Sequence, residues 1–290
     1  MTTINETRHL RQVFAGAIKG WIEDRASSMG AAIAYYTAFS MAPLLLVVIA
    51  VAGMVFGDDT ARTALMDQIT SLIGPRGAEA VQTVLAGAHS KGGGILSATL
   101  GIGALIVGAT TVFGELQNDL DRIWKVESAR SGVLQTVKVR LLAFGLVIGM
   151  GFLLMVSLVV SAAIAAVGRR FGESFPAQEV LLQTLNTVLS FLVTSLLFAT
   201  IYKLLPRAQV RWREVWVGGA FTAGLFTIGK LLIGLYIGKT ALGSSFGAAG
   251  AFVVLLVWIY YSAQIFLFGA EVTYHHARLN RARTDATGRA

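Results

Sequence analysis

Six stretches of roughly 20 or more residues run almost without charge, near 31–56, 94–113, 141–167, 181–202, 215–238 and 247–271. A helix of about 20 apolar residues crosses the ~30 Å of hydrocarbon in a bilayer, and inside lipid every backbone N–H and C=O must be satisfied by the protein itself. Only helices and closed barrels meet that condition. Barrel strands alternate polar and apolar over ~10 residues, whereas LLLVVIAVAG and AFVVLLVWIYY do not alternate. The expected fold is therefore all-α, a polytopic membrane protein with six transmembrane helices. Charged residues make up 14% of the 290, against about 25% in an ordinary soluble chain.

Orientation follows from the basic residues between spans. Seventeen Lys and Arg fall on the amino terminus, the 114–140 and 203–213 loops and the carboxyl tail, and six on the opposite side. Both termini are expected in the cytoplasm. The net charge of +8 then reflects basic loops facing anionic lipid, and no nucleic-acid partner is needed to explain it. Residues 1–30 read as a cytoplasmic amphipathic segment on the membrane surface, with Val13, Ile18, Trp21 and Ile22 as its apolar contacts. The six-span domain covers 31–274, and a basic cytoplasmic tail covers 275–290. Between the first two spans, about 57–93, helical periodicity places Leu65, Ile69 and Leu72 on one face. Gly74 and Pro75 interrupt the pattern, and Val81, Val84 and Leu85 resume it. An amphipathic helical hairpin resting on the outer face is the expectation.

Few residues suggest chemistry. Cysteine is absent, which removes thiolate metal sites and disulfides. His275 and His276 are adjacent, so on a helix they diverge by about 100°, and they read as solvated tail residues. Glu115 and Asp119 share a helical face by their four-residue spacing; with Asp121, Arg122 and Lys125 they read as a solvated, charge-paired interfacial helix. No metal site, cofactor or catalytic residue is expected, and the chain reads as a non-enzyme. The glycine pairs 145/149, 234/238 and 243/247 suit close helix packing and oligomerisation, as do Gly101 and Gly103.

Four features stand out within the spans. Pro43 cannot donate to the Phe39 carbonyl, so the first span should kink there; a structural kink satisfied by a neighbouring hydroxyl is the first reading, and a polar cavity lined by Tyr35, Tyr36 and Ser40 the second. Glu271, at the expected end of the last span, opposes the helix dipole and calls for a basic partner such as Arg140, Arg211 or Arg213; a structural ion pair is the first reading and a proton or substrate role the second. Lys230 lies about 12 Å inside the fifth span at 1.5 Å per residue, deeper than its stem readily snorkels. Charges at that depth usually face a bundle interior or water. Asn186 and Ser190, or Ser157 and Ser161, lie at comparable depth.

Three stretches resemble one family. AAIAYYTAFSMAPLLLVVIAVAG carries Ala34, Tyr35, Ser40, Ala42 and Pro43 in the family's order. LQNDLDRIWKV follows the second span with Trp124 in place, and SSFGAAGAFVVLLVWIYYSAQIFLFGAEV carries Gly247, Gly250, Trp258, Tyr260, Ser262 and the Gly269, Ala270, Glu271 ending. The chain is identified by these as similar to the YihY/BrkB family of bacterial inner-membrane proteins, historically labelled ribonuclease BN. One departure is Asp121, where the family commonly has asparagine. The resemblance implies a multi-pass protein of the bacterial inner membrane in contact with membrane lipids. A permease or lipid-type transporter for an anionic or amphiphilic solute is the leading expectation. The alternative is a non-transporting scaffold or envelope-assembly factor that binds envelope proteins. The residues that phosphodiester cleavage requires are not grouped in the sequence, so ribonuclease activity is not expected.

Overall fold

The computed structural model describes residues 2–89, 95–126, 176–239 and 247–287, with single positions at 141 and 145. These residues form helices α1 (Thr2–Glu23), α2 (Ala26–Phe56), α3 (Asp58–His89), α4 (Ile95–Ile123), α5 (Pro176–Leu204), α6 (Trp212–Lys239) and α7 (Gly247–Thr287). No strand occurs among the described residues. Five of the six expected spans fall on helices; the third, 141–167, lies outside the described residues except at 141 and 145. By length and composition, Thr187–Leu204, Trp212–Leu232 and Phe252–Ala282 are long and apolar enough to cross a membrane.

The chain divides into two compact units. The first comprises 1–24, 120–227 and 268–290, and the second 25–119 and 228–267. In the second unit, α2 and α3 are joined by Gly57 alone, which adopts φ +85°. That left-handed conformation is open to glycine and costly to residues with a Cβ, so Gly57 lets α3 pack directly on α2. Ala34 and Ala38 of α2, Val81 and Leu85 of α3, and Leu255 and Ile259 of α7 form the apolar core. Met66 and Ile69 also pack against it.

The hairpin expectation changes here. Gly74 and Pro75 do not end a helix: α3 runs through Pro75 to His89. Core side chains lie on both sides of the proline. A helix-interior proline costs about 3 kcal/mol, and burial of an apolar side chain stabilises by about 1.5–3 kcal/mol. Val81 and Leu85 together offset the break that local sequence signals.

In the first unit, α1 packs on α7 through Val13, Ala17 and Val272, with Phe14, Phe221, Phe268 and Leu279 around them. Val13 thus faces protein, whereas Ile18 and Ile22 are exposed together with Leu10. The apolar arc of the helix is wider than its contact with α7, and the sequence pattern did not separate the covered part from the exposed part. Close approach in this unit comes from Gly218, Gly219 and Gly269. A Cβ on Gly218 would overlap the Thr273 hydroxyl, one on Gly219 the Ser195 carbonyl and Ala199, and one on Gly269 the Thr222 and Tyr202 hydroxyls. By contrast, Gly103 and Gly145 face open space; Gly149 and Gly243 lie outside the described residues, and the surroundings of Gly234, Gly238 and Gly247 are not described. Four-residue spacing puts glycines on one face without saying whether a neighbouring helix covers it.

Candidate functional site

The most polar buried locus of the first unit is assembled from three chain segments. Helix α1 ends at Glu23, and Asp24 closes its last turn by donating its N–H to the Gly20 carbonyl at 2.8 Å. Helix α4 ends in a Schellman turn: Val126 N–H donates to Asp121 C=O at 2.9 Å and Lys125 N–H to Arg122 C=O at 3.1 Å. The residue after the cap in this motif needs positive φ and is usually glycine. Here it is Lys125, at φ 54°, which costs about 1–2 kcal/mol for an L-residue. Its ammonium reaches both Asp24 carboxylate oxygens at 2.6 Å. A buried acid, only 6% exposed, compensates the strained turn.

Glu271 on α7 completes the group. It is 1% exposed and lies over Gly20, where any Cβ would overlap its carboxylate. The Asp24 carboxyl is within hydrogen-bonding reach of it, and His275 Nε2 stands 3.7 Å from its Oε2. Among the described residues, no donor reaches Glu271 Oε1. Gly16 plays the same role for His275 as Gly20 does for Glu271, since a Cβ there would press on the imidazole. Trp124 meets Tyr274 edge-to-face at 5.5 Å beside this cluster.

These contacts revise three expectations. Helix α7 continues to Thr287, so Glu271 sits mid-helix and the dipole argument for its partner lapses. Its charged neighbours are Asp24, Lys125 and His275, while Arg211 and Arg213 are exposed on α6 and its approach; Arg140 lies outside the described residues. The two histidines belong to α7 and are half-buried: His276 hydrogen-bonds Asn280 at 2.9 Å and meets His9 edge-on. Finally, the acids of α4 are less solvated than expected, with Asp119 and Asp121 both buried and Glu115 half-buried.

Asp121 pairs with Arg207 rather than with its sequence neighbours. Its Oδ1 accepts the Arg207 backbone N–H at 2.7 Å, and Oδ2 lies 3.5 Å from the Arg207 guanidinium. Burial pushes the Asp121 carboxyl above the ordinary range, and the Arg207 N–H and charge partly pull it back. This clamp uses both carboxylate oxygens, which an asparagine amide would not match. Glu214 makes a second clamp, accepting from the Arg211 backbone N–H at 3.1 Å and from Arg281 at 3.0 Å.

The residues singled out within the spans are placed as follows. Lys230 is half-buried on α6; Ile228, Leu231 and Leu232 are exposed on the arc away from it, and Gly229 is pressed against Ile265 and Tyr261. Among the described residues no hydrogen bond or ion pair reaches the Lys230 ammonium. Ser40 is buried, but its hydroxyl donates to the Tyr36 and Thr37 carbonyls of its own helix at 2.9 and 3.2 Å. It packs against Gly108, where a Cβ would stand 2.5 Å from the Ser40 Cβ. Tyr35 is exposed and packs on Tyr36 and Phe39. Ser190 is exposed on α5. Pro43 lies within α2 and Asn186 within α5, their side-chain surroundings not described; Ser157 and Ser161 lie outside the described residues. Asp24 was not singled out in the sequence. Its partner is 101 positions away, and no local spacing reports such a pair.

The profile of the virulence factor BrkB family matches residues 17–290. A UPF0761 membrane protein of Psychromonas ingrahamii is 32% identical over 249 residues, covering 83% of this chain and 79% of that protein. A UPF0761 membrane protein of Pseudomonas aeruginosa is 28% identical over 269 residues, covering 91% and 63%, and one of Acinetobacter baylyi is 25% identical over 252 residues, covering 87% and 58%. The chain thus spans under two thirds of the length of the Pseudomonas and Acinetobacter relatives. No solved structure matches. With its apolar helices, its buried Glu271 and a match over nearly its whole length, this chain is a membrane protein of the BrkB family.

Proposed function

We propose that the chain is a permease or lipid-type transporter of the inner membrane, with both termini in the cytoplasm and an anionic or amphiphilic solute as cargo. The observation that carries this reading is Lys230. A charge within a membrane helix costs about 2.5–3.5 kcal/mol on insertion scales, and a half-buried ammonium with no described protein partner is suited to an anion that comes and goes. Exposed Leu10, Ile18 and Ile22 on α1 supply apolar contacts to lipid beside Arg11 and Lys19, which suit anionic headgroups.

The scaffold reading needs a free outer hairpin as a docking face, and α3 instead commits Val81 and Leu85 to the core. The test is movement of a fluorescent anionic phospholipid between leaflets of vesicles containing the purified protein. Wild type is expected to exceed protein-free vesicles, Lys230→Met to lose that excess and Lys230→Arg to retain part of it. Equal rates with and without protein, or a Lys230→Met variant as fast as wild type, overturn the reading.

A further inference from the structure

Two carboxyl groups within hydrogen-bonding reach of one another, in a site only a few per cent exposed, set a condition on their protons. If both are ionised, two negative charges face a single nearby ammonium, and like-charged carboxylates in close contact cannot both ionise freely. Lys125 already spends its charge on both oxygens of Asp24. Glu271 Oε1 is left with no donor among the described residues, and an unsatisfied buried polar atom costs about 1–3 kcal/mol. A proton held between the carboxyls removes both costs, since a hydrogen bond between two acids needs one O–H to donate.

The other charged groups around the pair do not remove the need for that proton. On α1, Glu23 adds negative charge. Lys125, just after α4, is the ammonium already counted. On α7, His275 stands 3.7 Å from Glu271 Oε2 with its side chain 18% exposed, and the exposed Arg278 places its positive charge on His275 rather than on the pair. Gly16 and Gly20 leave the room these two side chains occupy.

We propose that Asp24 and Glu271 form a proton-binding site, holding one exchangeable proton between them with Lys125 as the counter-ion. On release the O–H bond breaks, both carboxylates become ionised, and the proton passes to water by way of the His275 imidazole. Ionisation of both acids weakens the hold of α1 on α7, because the contact across Gly20 turns from a hydrogen bond into a repulsion. This site shares no residue with the proposed solute contact at Lys230 and stands whether or not the chain moves a lipid.

The test is infrared difference spectroscopy of the full-length protein in detergent, following the carbonyl stretch of protonated carboxylic acids as pH is raised. Wild type is expected to show such a band at neutral pH that disappears on alkaline titration. The wild-type band is expected to be missing from Glu271→Gln, which keeps the shape and a hydrogen-bond donor, and from Asp24→Asn, whose amide donates to an ionised Glu271. Asp24→Asn also serves if Glu271→Gln does not fold. Absence of the band in wild type at neutral pH, or its survival in Glu271→Gln, overturns the site. Loss in Glu271→Gln with no change in Asp24→Asn assigns the proton to Glu271 alone and overturns the sharing.

Discussion

The two units bury different shares of charge: among the described residues four buried carboxyl side chains lie in the first, and one, Asp119, lies in the second, with Ser40 and Gln117. In the second, the core is Ala34, Ala38, Val81, Leu85, Leu255 and Ile259, with aromatic and aliphatic residues around it. In the first, buried Asp24, Asp121, Glu214 and Glu271 accompany Ser195, Thr222 and Thr273. Each pairing has a geometry: Lys125 on Asp24, Arg207 on Asp121, Arg281 on Glu214, and the Tyr202 hydroxyl on Thr222 at 3.0 Å. Lipid is as apolar as leucine, so helices in a membrane gain little from hydrophobic exclusion and rely on close packing and hydrogen bonds. The second unit leans on shape, and the first adds directed partners to its own packed apolar side chains.

Substitutions can break this contrast. The largest expected effect is Leu255→Ala, which opens a cavity in the second unit and lowers stability by about 2–5 kcal/mol, read as a fall in melting temperature in detergent. Next is Gly269→Ala in the first unit. Its methyl meets the Thr222 and Tyr202 hydroxyls, and overpacking of this kind costs about 1–3 kcal/mol; if the variant melts with wild type, the glycine is not what brings α7 close.

Lys125 offers a finer comparison. Both Lys125→Ala and Lys125→Gly lose the Asp24 ion pair, but only glycine relieves the left-handed backbone, so the glycine variant should be more stable than the alanine by about 1 kcal/mol. Equal stabilities would mean that the turn is not strained. The smallest effect is expected for Tyr202→Phe, where one hydroxyl is lost from a buried network; hydrogen bonds between membrane helices average about 0.6 kcal/mol in double-mutant cycles. A loss as large as that of Leu255→Ala would erase the distinction between the units.

Asp121 gives a pH test. Its carboxyl is raised above the ordinary 3.8, chiefly by burial, so its contribution is fully present below the unfolded value and is lost as pH rises through the folded one. Asp121→Asn should flatten stability across that acid window while weakening the hold on the Arg207 loop. An unchanged slope between the two proteins would remove Asp121 as its source.

The helices were largely legible because long apolar runs have one outcome in lipid. The amphipathic character of α1 was legible too, but which part of its apolar arc meets protein was not: Val13 and Ile18 differ only in what lies opposite them. Pro75 misled because local propensity is a cost of a few kcal/mol that a core on both sides outweighs. The partner of Glu271 is not legible because the end of the hydrophobic run is not the end of its helix, which continues to Thr287.

Lys230, Tyr35 and Ser40 were visible in the sequence as polar groups out of place, and so was Glu271. Sequence alone determined the helical class, the apolar runs and the presence of charges that need company, because backbone satisfaction in lipid and the cost of a lone charge are local properties. Only the tertiary structure decided who keeps that company. It set Asp24 against Lys125 and Glu271, and Asp121 against Arg207, because pairing depends on which segments meet in space, and residues about a hundred positions apart leave no shared pattern in the chain.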